Sequence, residues 1–569
     1  MTIIIIMSLC FAPMAFASVE PWARALLEIG FFVIAAASLK KSKYVYLSKT
    51  NTTLLPALLA VAAVGLLQLL TQTPVSGLSP LRPFTSWRPA TMDGVLLWLS
   101  YAALVFAAVQ AFQKKYQIKY LLRALFVTGI IISFMGIFQK TGNETLVYGF
   151  RKISTYVPPF GPFVNRDNAA NYLMMTGLCG LSLFLAGFTR YERFVGLGKK
   201  FDFLAKQALI AVMLGMNVYG LIFTGSRGGI NAFFISALLL VIFTVVRSGS
   251  EKHRLAKFLI LTAVSAALYS AVIIAKPQFI ARQAGEFERT VTIRFSMYES
   301  GLAMFKDFPV FGTGLNSLVN SFGYYQDRAL VEGVVEHAHC DWLEMLLTTG
   351  IIGFLAFLSG FALLLVYSTK TLFKIKSKEK TIIYSGILAA VSGFCIHAFV
   401  DFPLQIPANA YTFLILAALL GSRSFEKSRT DFDEDKRILT RSKHFAAAAP
   451  VCLALAALAV PSGISDYLKL EASVLALSER APVLASAFGY HPTPQKAYSL
   501  AITYYNMAVK NPEKRRENLT LAMGTILAAL HKQPADQALD NLRTRTADFI
   551  RYDRANPYKP VPAKPTDGH

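Results

Sequence analysis

The feature that most constrains this chain is the recurrence of apolar runs long enough to cross a bilayer, which takes about 20 residues as a helix. They lie near 2–17, 22–39, 54–70, 93–112, 121–139, 169–188, 207–224, 229–246, 256–275, 342–367, 381–400, 407–420 and 445–462. Hydrocarbon offers no water to backbone N–H and C=O groups, so such runs resolve as helices. The expected fold is an all-α polytopic membrane protein with about 13 transmembrane helices. Composition agrees: 54% of residues are hydrophobic and 16% charged, against about 25% charged in soluble domains. The first run, "MTIIIIMSLCFAPMAFA", resembles a signal sequence with an A-x-A site. It lacks a basic start, and a second apolar run follows at once, so it reads as a short first span.

The net charge of +23 could suggest a nucleic-acid partner. Its distribution argues otherwise, because Lys and Arg cluster in short segments between spans, the signature of topology. With the N-terminus inside, "KKSK", "KKYQIK", "RYERFVGLGKK", "RSGSEKHR", "KTLFKIKSKEK" and "RSFEKSRTDFDEDKRILTRSKH" all fall on the cytoplasmic side. The opposite face then holds the "KISTYVPPFGPFVNRDN" loop, the "GSRGG" turn, a long loop at 276–341, "DFPLQIP" and the tail. This divides the chain into a transmembrane domain at 1–462 with a large outer-facing loop at 276–341, a soluble helical domain at 463–555 and a Pro-rich disordered tail at 556–569. "YYNMAVKNPEKRREN" faintly resembles a tetratricopeptide half-repeat, without a convincing period. Of the five cysteines, all but Cys340 fall within apolar runs, so no disulfide framework is expected.

The outer face carries the residues suited to chemistry. "TGSRGG" sets Arg227 in a turn whose glycines allow close backbone approach. Arg289 and Arg294 precede an amphipathic segment, and "PFVNRDNAANYL" brings Arg166 to the start of a span. His337 and His339 stand one residue apart at the mouth of a span in "EHAHCDWLEMLLTTGIIG". His397 and Asp401, four apart, share one helix face. Paired carboxylates of the glycosidase kind and a P-loop are both missing. Arg offers phosphate oxygens a fixed fork of donors, and histidine exchanges a proton near neutrality. Together they point to displacement of a lipid-diphosphate leaving group with cationic stabilisation. Blander readings stand beside this one. Arg227 and Arg166 could contact lipid headgroups, the two histidines could chelate a metal or be inert, and His397 with Asp401 could form a helix-end hydrogen bond.

In order and sidedness these stretches resemble the O-antigen ligase and polymerase superfamily of bacterial inner membranes, which includes protein O-oligosaccharyltransferases. "PFVNRDNAANYLMM" is similar to its F-x-N-x-N-x-x-A segment and "TGSRGG" to its T-x-S-R turn. "RFSMYESGLAMFKDFPVFGTGLNSL" resembles its Arg–aromatic helix leading to a G-x-G. "HAHCDWLEMLLTTGIIG" resembles the ligase-type pattern of His, a small polar residue, then two glycines, here His339, Cys340, Gly350 and Gly353. "HAFVDFPLQIPANA" is a weaker match. Two departures stand out. Cys340 replaces the usual Asn, Ser or Gln, so an amide role is lost or has moved to Asp341. The arginine-to-glycine spacing of the polymerase-like variants is also unmatched.

The resemblance implies a GT-C-like glycosyltransferase, inverting and metal-independent, with no cofactor. It would move a glycan from undecaprenyl diphosphate to an acceptor lipid, glycan or protein on the periplasmic face of the inner membrane, in lipopolysaccharide or exopolysaccharide biosynthesis. Arg227 and Arg294 would hold the diphosphate, and His339 would act at the acceptor hydroxyl as base or orienting partner. His337 is secondary, with Arg166, Arg289, His397 and Asp401. Partners are the lipid-linked glycan, its acceptor and membrane lipids, not nucleic acid. A polymerase or a protein O-oligosaccharyltransferase is the alternative within the superfamily, and a lipid-linked glycan flippase the alternative outside it. Flippases and other transporters tend to carry inverted repeats and mid-membrane ionisable residues. The topology is checked by cysteine labelling in intact cells: a probe at Gln326 should react from outside, and protection until the inner membrane is broken overturns the assignment.

Overall fold

The computed structural model describes residues 1–41, 44–46, 48, 51–72, 81–142, 145–152, 158–191, 195–247, 277–327, 335–425, 440–441, 448–532 and 537–555. It is all-α, relieved among the described residues only by two-residue strand pairs such as Leu146–Val147 with Arg151–Lys152. The main helices are α1 (Thr2–Met14), α2 (Pro21–Lys41), α3 (Asn51–Gln68), α4 (Arg88–Ala111), α5 (Lys115–Thr141), α6 (Arg166–Phe188), α7 (Leu197–Thr224) and α8 (Arg227–Arg247). They continue with α9 (Pro277–Asp307), α10 (Asp341–Lys374), α11 (Lys378–His397), α12 (Pro407–Leu419) and α13 (Ala448–Val474). The tail adds α14 (Leu477–Tyr490), α15 (Pro494–Lys510), α16 (Arg515–Lys532) and α17 (Gln537–Ala555). Among the described residues ten helices, α2–α8, α10, α11 and α13, are long and apolar enough to cross a membrane, while α1 and α12 are shorter apolar helices. The protein is thus an all-α polytopic membrane protein. The span expected at 256–275 and the tail at 556–569 lie outside the described residues.

Helix α12 explains why an apolar run can be short. Every residue from Pro407 to Leu419 is buried, as expected for a helix that is hydrophobic all round and packed at the centre of a bundle. The basic loops gather at one end: Lys115, Lys119 and Arg190 all pair with Glu379 at the start of α11. His397 closes the same helix at the other end, where the other candidate side chains collect.

The long loop expected at 276–341 contains α9, and the segment just after α9 seals a broken helix. At Gly350 helix α10 departs from helical geometry, with φ 63° and ψ −172°, a conformation open essentially to glycine. The break orphans carbonyls of one half and amides of the other. Segment 309–315 takes both. Thr313 and Gly314 donate to the Leu347 and Thr348 carbonyls at 3.1 Å each, and Ile351 donates to the Pro309 carbonyl at 2.8 Å. Gln68, fully buried at the end of α3, donates to the Phe311 carbonyl at 2.5 Å and the Thr348 carbonyl at 2.8 Å, and accepts from Leu315 N at 2.8 Å.

Helix α13 runs unbroken through 462–463, packs along α2 and leads into tail helices that stack each on the next. A polar chain docks the tail to the spans. His491 Nε2 lies 3.1 Å from Asp93 Oδ1, and Arg24 donates to Asp93 Oδ2 at 2.6 Å. Lys496 donates to Ser465 Oγ at 2.6 Å, and burial holds its ammonium down at about 8.

A side chain at Gly350 would bring its Cβ to 2.2 Å from the Val310 carbonyl oxygen. Gly350→Ala should therefore cost the strain of that backbone, about 1–3 kcal/mol, plus the displacement of the sealing segment. Gly30, whose Cβ position is open, is the control: Gly30→Ala should hold or gain up to about 1 kcal/mol of helix propensity. Thermal unfolding of the two variants in detergent checks the contrast.

Candidate active site

Arg294, His337, His339, His397 and Asp401 meet around the short connection between α11 and α12, residues 398–406, with Gly228 of the Arg227 turn against it. Asp341 fastens it to the entrance of α10. Its N–H donates to the Ala398 and Asp401 carbonyls at 3.0 and 3.1 Å, and its carboxylate accepts from Leu404 N at 2.7 Å. Asp341 thus faces the connection. Cys340 is the N-cap residue of α10 without a side-chain capping bond, and burial pushes its thiol up.

His339 precedes the helix with φ 50°, so it stands outside the first helical turn, at the mouth of the span. Histidine is among the few non-glycine residues that adopt this left-handed conformation with any frequency. Tyr298 of α9 donates to its carbonyl at 3.2 Å. His339 Nδ1 lies 3.8 Å from Asp401 Oδ1, too far for a hydrogen bond, and is buried without a partner among the described residues.

Asp401 is the hub. Both its carboxylate oxygens are buried, and His397 Nε2 approaches Oδ2 at 3.9 Å from the other side. Burial opposes its charge, but His339, His397 and the Phe402 backbone outweigh that and hold its carboxyl below the usual range. His397 is itself fixed. Its Nδ1 accepts from the Asn171 amide at 3.0 Å, which leaves the proton on Nε2, toward Asp401.

The arginines arrive from separate elements. Arg294 of α9 donates from Nη1 to the Val400 carbonyl at 2.8 Å, which uses one of its five N–H donors. Arg227 opens α8. The preceding turn puts Gly225 at φ 74°, and Ser226 Oγ accepts from Gly229 N at 3.3 Å. Gly228 seats this helix start against the connection: a Cβ there would lie 2.9 Å from His397 Nε2 and 3.1 Å from Val400 Cγ2. A helix N-terminus with an arginine on its first turn is an anion-binding arrangement. Arg166 begins α6, whose second turn carries Asn171, and its Nε is buried without a partner among the described residues. Arg289 lies on α9, with its side chain outside the described residues.

His337, secondary in the sequence reading, is the more tightly paired histidine. Its Nδ1 lies 2.9 Å from Glu344 Oε1, while Glu344 Oε2 accepts from Ala338 N at 2.9 Å. The ring stacks on Phe402 at 4.4 Å, and His339 meets the same ring edge-on at 5.0 Å. Sequence reasoning missed Glu344, Phe402 and Asn171. Glu344 alone left a signal, as a carboxylate inside an apolar run, where ionisable residues are rare and functional.

Residues 209–358 match the family model described as O-antigen ligase. None of the curated proteins matches the chain. The matched stretch contains Arg227, Arg294, His337, His339 and the Gly350 break, and ends before His397 and Asp401. The chain is therefore a multi-pass membrane protein whose residues 209–358 are similar to the O-antigen ligase family, in line with the resemblance drawn from its motifs. That family points to glycan transfer of the ligase or polymerase type.

Proposed function

We propose that this protein transfers a glycan from undecaprenyl diphosphate to an acceptor on the periplasmic face of the bacterial inner membrane, as an O-antigen ligase-like enzyme. The observation that carries the reading is the convergence of Arg294, the Arg227 helix start, His339 and the Asp401–His397 pair on the 398–406 connection, at one end of the bundle. The two arginines hold the diphosphate and stabilise the charge that develops as it leaves. His339 hydrogen-bonds the acceptor hydroxyl. The acceptor oxygen attacks the anomeric carbon from the face opposite the departing phosphate, so the configuration inverts. Asp401 attracts His339 and His397 by charge from under 4 Å.

Lysine in place of either arginine replaces a planar fork by a point charge. A hydrogen bond to a charged group contributes about 1.5–3 kcal/mol, so Arg227→Lys and Arg294→Lys should each weaken use of the lipid-diphosphate donor about ten- to over a hundredfold. Transfer from undecaprenyl-diphosphate glycan in nanodiscs measures this, and full activity of both variants removes the donor-site assignment. Because arginines carry the leaving-group charge, EDTA should leave the same assay unchanged. Loss restored by Mg²⁺ or Mn²⁺ would return that task to a metal.

A further inference from the structure

The reaction needs a place for the acceptor's proton, and the two histidines are not equally built for it. His339 has its Nδ1 at 3.8 Å from the nearest carboxylate oxygen, which fixes neither tautomer nor ring angle. His337 has Glu344 at 2.9 Å. Glu344 is itself immobilised, with a side chain 4% exposed and its second oxygen bonded to Ala338 N, on the first turn of α10 where the helix dipole favours a negative charge. A carboxylate on Nδ1 keeps the proton there and leaves Nε2 as the basic nitrogen, as in other histidine bases. Nε2 takes no partner among the described residues, and the side chain is 26% exposed. Stacking on Phe402 sets the ring plane beside His339. The dyad thus has a buried carboxylate, a fixed tautomer and an open second nitrogen.

We propose that His337, oriented by Glu344, is the proton acceptor of the transfer reaction, while His339 binds and orients the acceptor hydroxyl. This rests on the glycan-transfer reading above. In the step, the acceptor O–H bond breaks and its proton passes to His337 Nε2. The oxygen forms the new bond to the anomeric carbon, and the carbon–oxygen bond to phosphate breaks, releasing the polyprenyl diphosphate with the electron pair. The Nδ1 proton stays on the imidazolium, bonded to Glu344. The charged or titratable groups around the ring are Glu344 from α10, Glu336 from its own segment, Asp401 from the connection after α11, and His339. Burial opposes the imidazolium, but Glu344 outweighs it and raises the basicity of His337 above the ordinary.

The test is single-turnover transfer from undecaprenyl-diphosphate glycan in nanodiscs, followed across pH, with donor binding measured separately. A base must be unprotonated, so the rate should rise with pH through the His337 titration. His337→Gln keeps a polar amide and roughly the volume but cannot carry the proton. It should bind donor normally and lose about 10²–10⁴-fold in rate. Glu344→Gln should slow transfer and move the acid limb to lower pH, because the group that raises the basicity of His337 is gone. His339→Ala should slow transfer without moving that limb. Transfer by His337→Gln within threefold of the parent overturns the proposal, and so does an acid limb that follows His339→Ala but not Glu344→Gln. If the parent protein transfers nothing from the lipid donor, it is the glycan-transfer reading that fails, and the dyad assignment with it.

Discussion

The site depends on a broken helix sealed by another segment. In hydrocarbon, a carbonyl or amide without a partner costs several kcal/mol, so the break at Gly350 can exist only where protein supplies the missing groups. Segment 309–315 and Gln68 supply them on both sides of the break. That seal has a geometric result. The sealing segment continues directly from α9, which carries Arg294 and Tyr298. The half-helix that it caps begins at Asp341, just after His339 and Cys340. One set of backbone hydrogen bonds therefore fixes the arginine side of the site against the histidine side. The two glycines of the His–x–Gly pattern serve architecture more than chemistry: Gly350 permits the break, and Gly353 sits against Thr349.

Much of this was legible in the sequence, for reasons that can be named. Apolar runs specify spanning helices because the bilayer allows little else, and the described helices coincide with the expected runs within a few residues at most boundaries. Arg227, Arg294, His339, His397 and Asp401 were readable because charge at the ends of spans stands out against an apolar background. The features that were not legible depended on backbone detail. The spacing from His339 to Gly350 looks like a continuous helix in sequence, yet His339 lies before the helix in a left-handed turn, and Gly350 interrupts it. Glu344 showed only as a carboxylate inside an apolar run, with nothing in the sequence to join it to His337, which therefore looked incidental. Asn171 and Gln68 are amides in otherwise apolar helices, and only the packing of α6 on α11, and of α3 on the sealing segment, gives them partners.

The placement of charge has an order that suits an anionic donor. The carboxylates of Asp401 and Glu344 are buried behind the imidazoles they serve, and Phe402 separates the two pairs. Arg294 is half-buried, and Arg227 stands at a helix N-terminus. An approaching diphosphate, on the proposed reading, meets cations and a helix dipole first and the carboxylates only through histidine. Exposed carboxylates at the same positions would repel it, and removing them would leave the histidines unoriented. Burial beneath a ring resolves that conflict.

The same arrangement separates the two histidines. Groups of one chemical type take different tasks when their surroundings differ. His337 has a close carboxylate that it shares only with a backbone amide. His339 competes with His397 for Asp401, and neither is within hydrogen-bonding distance. A carboxylate divided between two imidazoles at nearly 4 Å orients both by charge while committing to neither, which leaves His339 free to turn its ring to a hydroxyl. A carboxylate at 2.9 Å commits its imidazole to one tautomer, which suits a group that must take up a proton and hold it.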